Sequence, residues 1–134
     1  MLLDINTGKE RRISKGTKYF SPSFSGDGKT IVTVQEAPSG KCTLLILNAD
    51  DGKLIASIPN NEHLFYTYPK FINGQIVSAI RNNKGQMSMG LVDIKTGAVN
   101  YLLKFSYQPI VFPKVSHDTV YFSATTDMND RLFA

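Results

Sequence analysis

The groups that could do chemistry in this chain are few, and each stands without the company its chemistry needs. Cys42 is the one cysteine of 134 residues, so no internal disulfide can form. A thiol attacks as thiolate, and no histidine lies near it in sequence. It stands at the head of Thr43-Leu44-Leu45-Ile46 and reads as a small strand residue. His63 and His117 are the two histidines. Neither has a second His or Cys at the usual metal-ligand spacing, so both read as loop residues. Serines abound, but no Gly-x-Ser-x-Gly elbow is present. Gly26-Asp27-Gly28 and Ser39-Gly40-Lys41 share the composition of phosphate loops, yet strands follow them where a phosphate loop needs a helix. Asp127, Asn129 and Asp130 offer oxygens for Ca²⁺ in Thr125-Thr126-Asp127-Met128-Asn129-Asp130. That segment lacks the glycine and distal glutamate of an EF-hand loop and reads as a solvated inter-strand loop. No catalytic residue, cofactor site or metal site is expected.

Charge narrows the partners. The net charge of +4 is mild and permits anionic partners without demanding them. Lys9, Arg11, Arg12, Lys15 and Lys18 are offset only by Glu10. No aromatic interleaves with them before Tyr19, so base stacking and nucleic-acid binding are not indicated. These charges suit an exposed edge strand, where Lys and Arg discourage edge-to-edge pairing. No apolar run has the roughly 18 residues of a membrane span. Met1-Leu2-Leu3 meets Asp4 at once, which leaves no signal-peptide core. This absence leaves the compartment open.

The elements that must position these residues come as repeats. Leu3-Asp4-Ile5-Asn6-Thr7-Gly8-Lys9 recurs as Leu47-Asn48-Ala49-Asp50-Asp51-Gly52-Lys53 and as Val92-Asp93-Ile94-Lys95-Thr96-Gly97-Ala98. The glycine spacings are 44 and 45 residues. A second motif, Tyr19-Phe20-Ser21-Pro22-Ser23-Phe24-Ser25-Gly26-Asp27-Gly28-Lys29-Thr30-Ile31-Val32-Thr33-Val34, has later copies around Pro69 and Pro113, spaced 47 and 44 residues. An Asp or Asn whose side chain bonds the turn, followed by Gly at positive φ, closes a hairpin. In the later copies the first turn shortens to Asn73-Gly74 and His117-Asp118. Proline has no N–H, so each proline is expected where a first strand begins or its pairing is interrupted.

Period-two and continuous apolar runs then give four strands per unit. The first unit has Phe20 to Phe24, Thr30 to Gln35, Thr43 to Asn48 and Leu54 to Ile58. The second has Tyr68 to Ile72, Gln75 to Ile80, Met87 to Asp93 and Val99 to Phe105. A third begins with Ile110 to Val115 and Thr119 to Ala124, and Arg131 to Ala134 starts its third strand. Ahead of them, Leu2 to Ile5 and Lys9 to Ser14 read as the third and fourth strands of an earlier unit. No stretch keeps helical spacing. The boundaries expected are 1–14, 15–60, 61–105 and 106–134.

Four antiparallel strands per 44–47 residues is the pattern of a propeller blade. Ser21-Pro22-Ser23-Phe24-Ser25-Gly26-Asp27-Gly28-Lys29-Thr30-Ile31-Val32, with Asp4-Ile5-Asn6-Thr7-Gly8-Lys9 as partner element, resembles the WD-like repeats of TolB-type propellers. The resemblance implies an all-β fold: a β-propeller segment of about three four-stranded antiparallel blades, its ring not closed within one chain. It implies a non-catalytic scaffold for protein or cell-envelope partners, of a kind often exported to the bacterial periplasm or envelope. Two alternatives stand beside it. One is the substrate-gating propeller of a tricorn- or prolyl-oligopeptidase-like serine peptidase whose catalytic domain lies outside this chain; the other is a carbohydrate- or small-ligand-binding propeller.

In such propellers the connectors before the first strands, and the loops after the second, usually face partners. That implies a contact rim of Tyr19, Phe65, Tyr66 and Tyr107 with Arg81 and Lys84. The competing reading packs the aromatics between neighbouring sheets. A closed ring needs at least ~4 blades. The leading reading is therefore a piece of a longer polypeptide. The alternative is a homodimer joined head to tail, in which the first two strands of one copy complete the last unit of the other.

Overall fold

The computed structural model describes residues 1–14, 16–126 and 129–134. Among these the chain is all-β, with no helix. Its strands are β1 (Leu2–Leu3), β2 (Glu10–Arg11), β3 (Tyr19–Phe24), β4 (Thr30–Glu36), β5 (Cys42–Asn48), β6 (Leu54–Ile58), β7 (Phe65–Ile72), β8 (Gln75–Arg81), β9 (Met87–Val92), β10 (Val99–Tyr101), β11 (Ile110–Ser116), β12 (Thr119–Thr126) and β13 (Asn129–Phe133). They form two four-stranded sheets, β3-β4-β5-β6 and β10-β9-β8-β7, a three-stranded sheet β11-β12-β13 and the pair β1-β2. Every pairing is antiparallel.

The strands fall where the repeats place them, with local differences. β1 and β2 hold two residues each, shorter than Leu2 to Ile5 and Lys9 to Ser14. The cause is local: Asp4 already belongs to the turn, its carboxylate accepting the amides of Asn6 and Thr7. β10 stops at Tyr101 rather than Phe105, and only a bridge between Met87 and Ser106 follows. β3 and β7 start earlier than expected, at Tyr19 and Phe65. β13 pairs with β12 along its length, Phe122 opposite Phe133 and Thr125 opposite Asp130.

The turns repeat in chemistry as well as in position. Asn48 and Asp93 use their side-chain oxygens as Asp4 does, accepting the amides two and three residues on. Gly52 and Gly97 follow at φ 72°. These two glycines also face a backbone from the preceding connector. A Cβ at Gly52 would collide with the Ile13 carbonyl oxygen, and one at Gly97 with the Pro59 carbonyl oxygen. Each outer hairpin is thereby seated on the segment that leads out of the previous unit.

Each first strand carries a bulge at its proline. Ser21-Pro22, Tyr68-Pro69 and Phe112-Pro113 each oppose one residue of the neighbouring strand: Thr33, Ser78 and Phe122. Ser21, Tyr68 and Phe112, the residues before the prolines, have φ of 50°, 52° and 53°. Non-glycine residues in this region are strained, and surrounding structure must hold them there. In the first two units a buried hydroxyl does so: Thr33 donates to the Phe20 carbonyl and Ser78 to the Thr67 carbonyl, both at 2.9 Å.

Two apolar clusters join the sheets. Val32, Val34, Leu44 and Ile46 of the first four-stranded sheet meet Tyr66, Ile76, Ile80 and Val92 of the second. Val77, Ala79 and Met89 on the second sheet meet Ile110 and Ala124 on the third. β4 and β8 are buried on both faces, which explains why Ile31-Val32-Thr33-Val34 and Ile76-Val77-Ser78-Ala79-Ile80 read as continuous runs rather than alternating ones. β7 lies against β3, and β11 against β7, so the first strands stand side by side.

Candidate partner-contact site

Register sets the geometry of the site. Phe65 opens β7 opposite Arg81, the last residue of β8. The Arg81 guanidinium lies over the Phe65 ring, 4.4 Å from its centroid, a cation–π contact at the end of two rigid strands. Phe65 also packs on the core, which fixes the platform. Arg81 itself is exposed.

The turn beyond β8 presents Lys84. Asn82 builds it: its side-chain oxygen accepts the amides of Lys84 and Gln86, both at 3.0 Å, and its Nδ2 donates to Gln86 Oε1 at 3.0 Å. Gly85 closes the turn at φ 78°. Tyr107 is 72% exposed. Its neighbour Ser106 exchanges backbone hydrogen bonds with Met87, the residue after that turn, so Tyr107 stands at the same end of the sheet.

Two of the expected rim residues sit elsewhere. Tyr66 is 3% exposed and belongs to the interior. It follows Phe65 in a strand, so the two side chains take opposite faces. Tyr19, Phe65 and Tyr66 fall inside first strands, whereas Tyr107 lies in the connector before β11. Tyr19 is half-buried and lines a groove of about 1080 Å³ between β1-β2 and the first four-stranded sheet, with Pro22, Phe24 and Ile31 among its walls. The structure therefore puts Arg81 over Phe65, with the Lys84 turn and Tyr107 at the same end of that sheet.

The connector Pro59–Leu64 supports this end. Asn60 Nδ2 donates to the carbonyls of Cys42 and Leu64, and its Oδ1 accepts the Leu64 amide, at 2.8, 2.8 and 2.9 Å. Tyr101 donates to Glu62 at 2.7 Å, and its ring meets Phe105 with centroids 5.0 Å apart. Burial and that carboxylate push the Tyr101 phenol up. On either side of the connector lie hollows of about 270 Å³, with Lys41, His63, Phe65 and Asn83 on its wall, and about 250 Å³, with Glu62, Lys84, Tyr101 and Phe105. Asn60 and Glu62 were legible only as connector residues, because their partners come from other strands.

Of the remaining reactive groups, Cys42 is buried, and Arg11 and Asp130 are held in hydrogen bonds. The Cys42 sulfur is buried and accepts the Tyr66 amide at 3.4 Å. Burial pushes its thiol up, away from the thiolate that chemistry would need. Arg11 of the basic stretch donates to the Ala49 carbonyl at 3.0 Å; Lys15 lies outside the described residues. Of the Ca²⁺ candidates, Asp127 also lies outside them, and Asp130 accepts the Thr125 hydroxyl at 2.7 Å. Among the described residues no three His, Cys, Asp or Glu side chains converge. No protein-family model matches the chain, and no curated protein matches it.

Proposed function

We propose that this chain is a segment of a TolB-like β-propeller that serves as a non-catalytic scaffold for a protein partner, contacted at the end where β7 begins. Sheets of one design, repeated along the chain with their first strands adjacent, support the propeller reading. The observation that carries the binding reading is Arg81 held over Phe65, with Lys84 and Tyr107 at the same end. Exposed Arg and Tyr side chains on rigid supports are the residue types that dominate protein interfaces. The cations of this end favour a partner surface that presents carboxylates.

The test is capture of a partner from a cell extract on the immobilised chain, followed by substitution. Arg81→Glu combined with Tyr107→Ala is expected to weaken capture about tenfold or more. Lys53→Glu, at an outer turn where the side chain is 83% exposed, is expected to leave it unchanged. Equal capture by both variants contradicts the reading.

A further inference from the structure

The bulges place a second constellation where the first strands stand side by side. β7 and β11 are terminal strands of their sheets, so one edge of each carries no strand partner. At equivalent positions of the two bulges stand Tyr68 and Phe112, whose rings meet with centroids 5.1 Å apart and tilted by 49°. Two residues further along each strand come Lys70 and Lys114. Phe112 is 62% exposed, and Lys114 is exposed as well.

The two lysines stand at equivalent positions of adjacent strands, each two residues on from a ring of the Tyr68–Phe112 pair. Burial, and then the Lys114 charge, hold the Lys70 ammonium below the usual lysine range. Among the described residues neither has an ion-pair partner. The carboxylate on the adjoining turn, Asp118, accepts a hydrogen bond from Asn73 at 2.8 Å. Neighbouring like charges without a counter-charge are mildly destabilising alone and favourable around an anion. The edge is a poor template for an added strand, because Pro69 and Pro113 remove donors and the bulges break the register. Recognition there must run through side chains.

We propose that this edge binds an acidic segment of a protein, its carboxylates on Lys70 and Lys114 and an apolar side chain against Tyr68 and Phe112. The site stands apart from the Phe65–Arg81 end and rests on different residues, so either can fail alone. The charge fixes the sign of the ligand, and the exposed ring beside it favours a peptide over a bare ion.

The experiment is fluorescence anisotropy of a labelled Glu-Phe-Glu-Phe peptide with the purified chain. The expected result is saturable binding below about 1 mM, weakened about tenfold by Lys114→Glu and by Phe112→Ala. Lys95→Glu, on an exposed outer turn, should leave it unchanged. Both Lys114 and Phe112 are exposed, so these variants are expected to fold; circular dichroism checks this, and Lys114→Gln provides the milder change. Absence of binding at that concentration overturns the proposal. So does equal binding of a Gln-Phe-Gln-Phe peptide. Displacement by inorganic phosphate, together with an unaffected Phe112→Ala variant, would reduce the site to simple anion binding and also overturn it.

Discussion

The Ser78 hydroxyl donates to the Thr67 carbonyl across the β7 bulge, as the Thr33 hydroxyl does to the Phe20 carbonyl one unit earlier. Both hydroxyl residues are buried, Ser78 at 0% exposure and Thr33 at 1%. Ser78→Ala leaves a carbonyl without this donor inside the sheet, at an expected cost of about 1–3 kcal/mol. Urea unfolding reads it as a lower midpoint with an unchanged slope. Ser78→Thr, which places in the second unit the residue of the first, should lose less. Equal midpoints for wild type and the alanine variant would show that the hydroxyl does not brace the bulge.

The outer hairpins give a paired comparison. Gly8 and Gly97 close equivalent turns at φ 66° and 72°. A Cβ at Gly8 meets open space, whereas one at Gly97 collides with the Pro59 carbonyl oxygen. Gly8→Ala should cost about 1 kcal/mol from backbone strain alone. Gly97→Ala should cost more, about 2–3 kcal/mol, and disturb the Pro59–Leu64 connector. Thermal melts of the two variants measure the difference; equal losses would mean the hairpin is not seated on the connector.

Tyr66 supplies a pH dependence. Its hydroxyl is buried and finds no hydrogen-bond partner among the described residues. Burial, with lesser contributions from Cys42 and Glu62, pushes the phenol up to about 12. The folded state thus holds the neutral phenol more firmly than the unfolded chain does. The associated stability is fully present below about pH 10 and is lost as pH rises from there toward 12. Tyr66→Phe should match or slightly exceed wild type at pH 7, since an unpaired buried hydroxyl is removed. It should also lose less stability between pH 9 and 11 than wild type does. Parallel pH profiles of unfolding would contradict this assignment.

Asn60 ties the connector to the first four-stranded sheet. Asn60→Ala removes three hydrogen bonds and should cost about 2–3 kcal/mol. Faster amide exchange at Leu64, whose N–H bonds to the Asn60 side chain, would report the loosening. Unchanged exchange there would place the connector's rigidity elsewhere.

The all-β class and the run of antiparallel sheets were legible because their signals are local. Asp93 and Gly97 announce a turn by themselves, and Pro69 announces an interrupted strand. The strain at Tyr68 and the hydroxyl that braces it were hidden, since Ser78 is ten residues away and owes its role to strand register. The site was read in part for the same reason. Arg81 and Phe65 were both singled out, but only pairing across β7 and β8 brings one over the other. Tyr66 was misplaced because aromatic content says nothing about which face of a strand a ring takes. Lys70 and Lys114 gave no signal at all: their equivalent places on neighbouring strands depend on β11 lying against β7.

The most direct test of the binding reading is a photo-activated crosslinker placed at Lys84 and, separately, at Lys53, with both variants expressed in cells. Binding at the Phe65–Arg81 end predicts discrete protein adducts from position 84 that vanish with Arg81→Glu, and none from position 53. Adducts of equal yield from both positions, or adducts at 84 that survive Arg81→Glu, would contradict it.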